Sequence, residues 1–148
     1  MSHSREDVDP VRVLLADDHP GVRLGLRKLL EHEPGLTVVG EAQNGHEALH
    51  LTEQLTPDIL LLDIEMPVMN GIEAIRRLRE RNVDINILAI GSHDAKAYIQ
   101  EILNCGVSGY IVKDEAADLL TQAIRQIHQG ATTTWLSRQT QDRLSRYD

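Results

Sequence analysis

A single cysteine, Cys105, stands in the 148 residues, so no internal disulfide is possible, and that scarcity fits a reducing compartment. No hydrophobic run approaches the roughly 18 apolar residues that a membrane span needs. The first residues, Met1 to Pro10, hold no apolar signal core and are expected to fray as a polar tail. Together these features predict a cytoplasmic protein. Basic residues are also in short supply: 15 Lys and Arg against 23 Asp and Glu leave a net charge of −8. Affinity for nucleic acid rests on cations that neutralise phosphates, so this stretch is not expected to grip DNA by itself. An apolar fraction of 41% and a charged fraction of 26% are ordinary for one globular domain, and the length is enough to bury a core.

What is present is organised around Ile59-Leu60-Leu61-Leu62-Asp63. Four apolar residues after the turn signal Thr56-Pro57-Asp58 read as a strand buried on both faces. It ends on a carboxylate, which is costly in such a place unless a cation or hydrogen-bond donor receives it. A lone Asp there reads most simply as a cap or a structural ion pair. Asp63 is not alone: the strand Val11 to Ala16 also runs into acids, Asp17 and Asp18. In a parallel sheet, both strands deliver their acids to one edge.

Strands and helices alternate five times. The strands are Val11 to Ala16, Leu36 to Gly40, Ile59 to Leu62, Asn86 to Ile90 and Gly109 to Val112. Helices follow from Pro20, from Gly45 to about Leu55, from Gly71 to about Arg81, from about Ala95 to Cys105, and from about Glu115 to Gln129. Asn44 caps the second helix, with Glu47 at the capping-box position. This alternation predicts an α/β fold, flavodoxin-like and doubly wound, with a five-stranded parallel sheet and helices on both faces. The order 2-1-3-4-5 is adopted from the common doubly wound arrangement; these residues do not derive it. Ligands in such sheets bind at the carboxyl edge where the order reverses, between strands one and three. Residues 11–129 form the domain, 1–10 the tail, and 130–148 a linker-like segment with a short polar helix near its end.

Three carboxylates that meet raise one another's pKa and call for a counter-charge. Mg2+ suits them, because it takes a few carboxylate oxygens and phosphate oxygens while keeping several waters. Strand five ends at Lys113, a point cation suited to phosphate or to the acceptor carboxylate. A carboxylate also serves as nucleophile in phosphoryl transfer, giving an aspartyl-phosphate.

Asp17-Asp18, the block Asp63-x-x-Met66-Pro67-x-Met69-x-Gly71, and Tyr110-x-x-Lys113 resemble the receiver domain of bacterial two-component response regulators. Asp18-His19-Pro20, Gly109-Tyr110 and Val112-Lys113-Asp114 are similar to the subfamily with a LuxR-type helix-turn-helix after the receiver. The resemblance spans Val11 to about Gln129. It implies that Asp63 accepts phosphate from a sensor histidine kinase and that Asp17, Asp18, Asp63 and the backbone carbonyl of Glu65 hold Mg2+. It also implies that Lys113 pairs with the phosphoryl group and that Tyr110 swings between exposed and buried positions. Such a domain is no enzyme beyond its own phosphorylation and dephosphorylation. Gly130 to Leu136 resembles the linker before the helix-turn-helix, so the chain is expected to be part of a longer transcription regulator whose DNA contact lies beyond it. A homodimer through the last helix is compatible with the sequence, which does not decide it.

One position departs from the pattern. Where the resemblance calls for a Thr or Ser at the end of strand four, this sequence has Gly91, followed by Ser92. A hydrogen bond to a charged group is worth about 1.5–3 kcal/mol, against the about 5.5 kcal/mol needed to invert a 1:99 equilibrium. Losing it weakens the switch more than the chemistry. Ser92 replaces the hydroxyl only if the loop turns it inward. Glu65 reads either as a solvated residue or as one that tunes phosphate lifetime.

Other readings compete. Gly91 motivates a receiver-like interaction module that works without phosphorylation. Glu65 as a general acid would make a small aspartate-nucleophile phosphatase, though such enzymes usually need a larger chain. His46-Glu47-Ala48-Leu49-His50 matches the zinc-protease pattern H-E-x-x-H, but the wheel puts both histidines outward and no third ligand follows. His19 is expected at the mouth of the site or as a cap of the first helix.

Overall fold

The inner strands of the sheet are apolar at consecutive positions because both of their faces are covered. The computed structural model describes residues 9–92, 94–130 and 133–146, so most of the tail expected at 1–10 lies outside the described residues. In chain order the elements are β1 (Val11–Ala16), α1 (Pro20–Glu31), β2 (Leu36–Ala42), α2 (Gly45–Leu55), β3 (Ile59–Asp63) and α3 (Gly71–Glu80). They continue with β4 (Asn86–Gly91), α4 (Lys96–Asn104), β5 (Gly109–Val112), α5 (Lys113–His128), β6 (Trp135–Leu136) and α6 (Arg138–Leu144). All pairings are parallel.

Alternation along the strands splits the core in two. Leu14, Leu60, Leu62, Ile87, Ala89 and Tyr110 pack under α2, α3 and α4. Val13, Leu15, Ile59, Leu61, Leu88 and Ile111 pack against Leu30 of α1 and Leu120, Ala123, Ile124 and Ile127 of α5. At about 25 cal/mol per Å² of apolar surface removed from water, these two layers supply the main driving force for folding. Among the described residues, no helix is long and apolar enough to cross a membrane.

The sheet has six strands in the order β2-β1-β3-β4-β5-β6, which corrects the expected five. The extra strand comes from the segment after α5. Gly109 pairs with Trp135 and Tyr110 with Leu136, and the Trp135 N–H donates to the Ser108 carbonyl at 2.8 Å. A strand of two residues carries no period of its own, so only the free edge of β5 reveals it. Helix α6 then lies beside the start of α4, where Lys96 donates to the Arg146 carbonyl, with its Leu144 against the α4-side core. Ser137 caps it by accepting from the Thr140 N–H, and Arg143 donates to the Asp94 carbonyl.

Local signals behave as chemistry requires. Asn44 and Asn70 accept from the backbone N–H of Glu47 and Glu73 to cap α2 and α3. The returning bond from Glu47 lands on the Gln43 N–H, one residue before the cap. Helix α5 starts at Lys113 with no intervening loop, two residues earlier than the expected Glu115. Val22 of α1 is 44% exposed, although its spacing to Leu26, Leu29 and Leu30 puts the four apolar residues on one side of the helix. Cys105 is half-buried and stands just past the end of α4.

Candidate functional site

The carboxyl ends of β1 and β3 lie side by side, with Ala16 opposite Leu62, so the residues that follow them share one edge. Asp17 and Asp63 are each 1% exposed. One oxygen of Asp63 accepts from the Glu65 N–H at 3.0 Å; the other stands 3.3 Å from Lys113 Nζ at the start of α5. Asp17 Oδ1 accepts from the His19 N–H at 2.8 Å, and Arg23 holds the Asp17 carbonyl at 2.7 Å. Among the described residues, the buried Asp17 Oδ2 has no hydrogen-bond partner, and the buried Asp18 Oδ1 has only the His19 ring beside it, 3.1 Å from Nδ1.

Electrostatics follow from this crowding. Burial raises the Asp63 pKa to about 6, and the Asp17 charge adds to the rise; the Glu65 N–H and Lys113 oppose it. The site therefore has more negative charge, and more orphaned oxygen, than its own donors satisfy. Ligand atoms from Asp17, Asp18, His19 and Asp63 all lie within 4.8 Å of one another. A hard divalent cation fits that donor set, because it would supply both the missing charge and partners for the unpaired oxygens.

The loop after Asp63 is fixed from both ends. The Ile64 N–H donates to the Ile90 carbonyl, and the Gly71 N–H donates to the Ile64 carbonyl. A side chain at Gly71 would meet the backbone of Asp63 and Ile64 at 2.7–2.9 Å, so only glycine lets α3 begin so close to Asp63. Between them the Met69 N–H donates back to the Pro67 carbonyl at 2.7 Å, with Val68 at φ +68° and 87% exposed. A β-branched residue in the left-handed region costs about 1–2 kcal/mol, so this turn is held by its surroundings.

The β4–β5 side is arranged differently. Tyr110 is fully buried, and its ring meets Tyr98 edge-on at 6.4 Å between centroids. A Cβ at position 91 would collide with the Tyr110 hydroxyl and stand 3.0–3.1 Å from ring carbons Cε1 and Cζ. The ring thus occupies the room that a side chain at 91 would take. Burial, and then the neighbouring Tyr98, raise the Tyr110 pKa. Ser92 is exposed and donates to the Glu65 carboxylate, which brings the two residues of uncertain role together above the acids. That contact was not foreseen, because nothing in the sequence links residues 27 apart. The inward Tyr110 is explained by the register that sets it opposite Ala89, two residues before Gly91.

His46 and His50 are exposed on α2 and belong to no cluster with the site. His19 directly precedes α1 but makes no side-chain cap; its ring leans over Asp17 and Asp18 instead.

Comparison with known proteins assigns this fold and its acidic edge to a family. The response regulator receiver domain matches residues 13–125. The chain is 38% identical over 120 residues to the transcriptional regulatory protein DegU of Brevibacillus brevis, covering 81% of this chain and 51% of that protein. It is 38% identical over 122 residues to the nitrate/nitrite response regulator protein NarL of Escherichia coli K12, covering 82% and 56%. Among solved structures, a LuxR-family two-component response regulator from Aurantimonas sp. SI85-9A1 superposes with a TM-score of 0.86 at 36% identity, covering 93% of this chain and 96% of that one. The chain belongs to the response regulator receiver domain family. Within it, this is a receiver of the NarL and DegU type, a kinship that favours phospho-acceptance over a phosphorylation-independent module. The chain spans about half the length of the curated relatives it matches.

Proposed function

We propose that Asp63 takes a phosphoryl group from the phosphohistidine of a sensor histidine kinase, in the cytoplasm, and that this event regulates transcription. The observation that carries the reading is Asp63 itself: a fully buried carboxylate with one oxygen 3.3 Å from Lys113, facing a second buried acid whose Oδ2 has no partner. In the step, an Asp63 oxygen forms the new O–P bond while the P–N bond of the donor breaks, and the imidazole nitrogen keeps the bonding pair. Lys113 meets charge on the transferred oxygens. Asp17, Asp18, Asp63 and the Glu65 carbonyl would hold Mg2+, which would supply positive charge to offset that of the phosphoryl group. The domain catalyses only its own phosphorylation and dephosphorylation.

Residues 11–129 are the receiver, and 130–148 lead toward an effector region. With a net charge of −8 in this stretch, DNA contact belongs to a helix-turn-helix elsewhere in the whole protein. The test is incubation with acetyl phosphate and Mg2+ followed by mass spectrometry. One phosphoryl group on Asp63 in the wild-type chain is expected. An unchanged mass, or an equal gain in Asp63→Asn, would overturn the reading; repeated turnover of a phosphomonoester would favour a phosphatase instead.

A further inference from the structure

His19 is the one member of the acidic cluster to which phosphoryl transfer gives no task. Its Nδ1 lies 3.1 Å from Asp18 Oδ1 and 3.5 Å from Asp17 Oδ1. Its ring is 60% exposed, so it closes the cluster from the solvent side. Neighbouring ligands on an octahedral ion with bonds of about 2.1 Å stand about 3 Å apart, and opposite ones about 4.2 Å. The His19 distances match neighbouring positions, and the 4.8 Å limit on the whole set asks for a contraction of roughly half an ångström at its widest. Asp17 Oδ2, on a residue only 1% exposed, has no hydrogen-bond partner among the described residues, so this acid keeps an oxygen directed to no donor.

We propose that His19 is a nitrogen ligand of this site, which makes it selective for borderline divalent cations such as Co2+ and Zn2+ over Mg2+. The inference rests on the reading of Asp17, Asp18 and Asp63 as cation ligands, and adds a donor of a different kind. Carboxylates and water suit Mg2+, whereas imidazole suits the later first-row metals and Zn2+. An all-oxygen site would distinguish these ions less.

The experiment uses the full chain with His46→Asn and His50→Asn, which removes the exposed histidine pair on α2. Calorimetry measures Mg2+ binding and the Co2+ binding that excess Mg2+ displaces, with His19 intact and in His19→Ala. The variant should fold, because the ring is exposed and the bond to Asp17 comes from the backbone N–H. With His19 intact, Co2+ is expected to bind at least 100-fold more tightly than Mg2+. His19→Ala should lose tenfold or more of the Co2+ affinity while Mg2+ changes less than threefold. The His19 ring protons should also show contact shifts with Co2+ bound. Unchanged Co2+ affinity in His19→Ala, with Mg2+ still bound, would sink the nitrogen ligand and leave the acidic site standing. A parallel loss of both ions would make His19 an organiser of the acids and overturn the proposal. No Mg2+-displaceable Co2+ at all would sink the cation reading together with it.

Discussion

The two sides of the acidic edge are built to different standards. On the β1–β3 side both oxygens of Asp63 are anchored, by the Glu65 N–H and Lys113, one oxygen of Asp17 is anchored by the His19 N–H, and the loop after Asp63 is fixed by glycine-tight contacts. On the β4–β5 side the anchoring hydroxyl is missing, and the ring of Tyr110 fills the gap above Gly91. If Asp63 takes a phosphoryl group as proposed, loading the site and reporting that it is loaded would be separable tasks in this fold. The first depends on where strands end, the second on a gap the size of one side chain.

The sharpest way to break the comparison is at the loading side. Asp63→Asn should abolish phosphoryl uptake while Gly91→Ala and Ser92→Ala retain it, read by mass after acetyl phosphate and Mg2+. If Gly91→Ala also abolished uptake, the two sides would not be separable.

Next in size is a dependence on pH. The Asp63 pKa, at about 6, lies above its ordinary 3.8. Burial disfavours the ionised form, so the stability that Asp63 contributes is fully present below pH 3.8 and is lost as pH rises through 6. Without divalent cations this costs the fold on the order of 2–3 kcal/mol between pH 4 and 7. Denaturant unfolding should show that fall in the wild type and a flatter profile in Asp63→Asn. Mg2+ added at pH 7 should restore stability to the wild type much more than to the variant. A wild-type profile parallel to that of Asp63→Asn would remove the electrostatic argument.

Smaller effects sharpen the reporting side. Gly91→Ala should cost about 1–3 kcal/mol by overpacking against Tyr110. In a Tyr110→Phe background, which removes the colliding hydroxyl, about 1 kcal/mol or more of that cost should disappear, as a double-mutant cycle would show. Gly91→Thr should drive the Tyr110 ring outward, visible by 19F NMR of fluorotyrosine. Additive costs would mean that Gly91 does not set the Tyr110 position. Least of all, Ser92→Ala should shift stability by under about 0.5 kcal/mol, since its hydroxyl serves an exposed pair with Glu65.

The reactive half was legible in the sequence because it is written at strand ends. Apolar runs that stop at Asp17, Asp63 and Lys113 need only a parallel sheet to bring them together. The reporting half was not, because it depends on register and on space. Gly91 reads as a missing hydroxyl; that it also makes room for Tyr110 requires knowing that both lie on the α4 face. His19 was legible as a neighbour of the acids, but the lean of its ring over them is a matter of one side-chain rotation. Strand β6 was hidden for a third reason: two residues after a threonine run show no alternation, and the partner that selects them is 26 residues earlier.

Strand β6 also has a practical consequence. A fragment trimmed at Gln129, where helical periodicity ends, would strip the cover that β6 gives to the outer row of β5 amides and carbonyls. It would also bare the apolar surface that Leu136 and Leu144 shield. Uncovered rows of that kind recruit strands from other molecules. Such a fragment would keep the chemistry of Asp63 and yet precipitate or pair promiscuously, and its self-association would say nothing about how the intact regulator assembles.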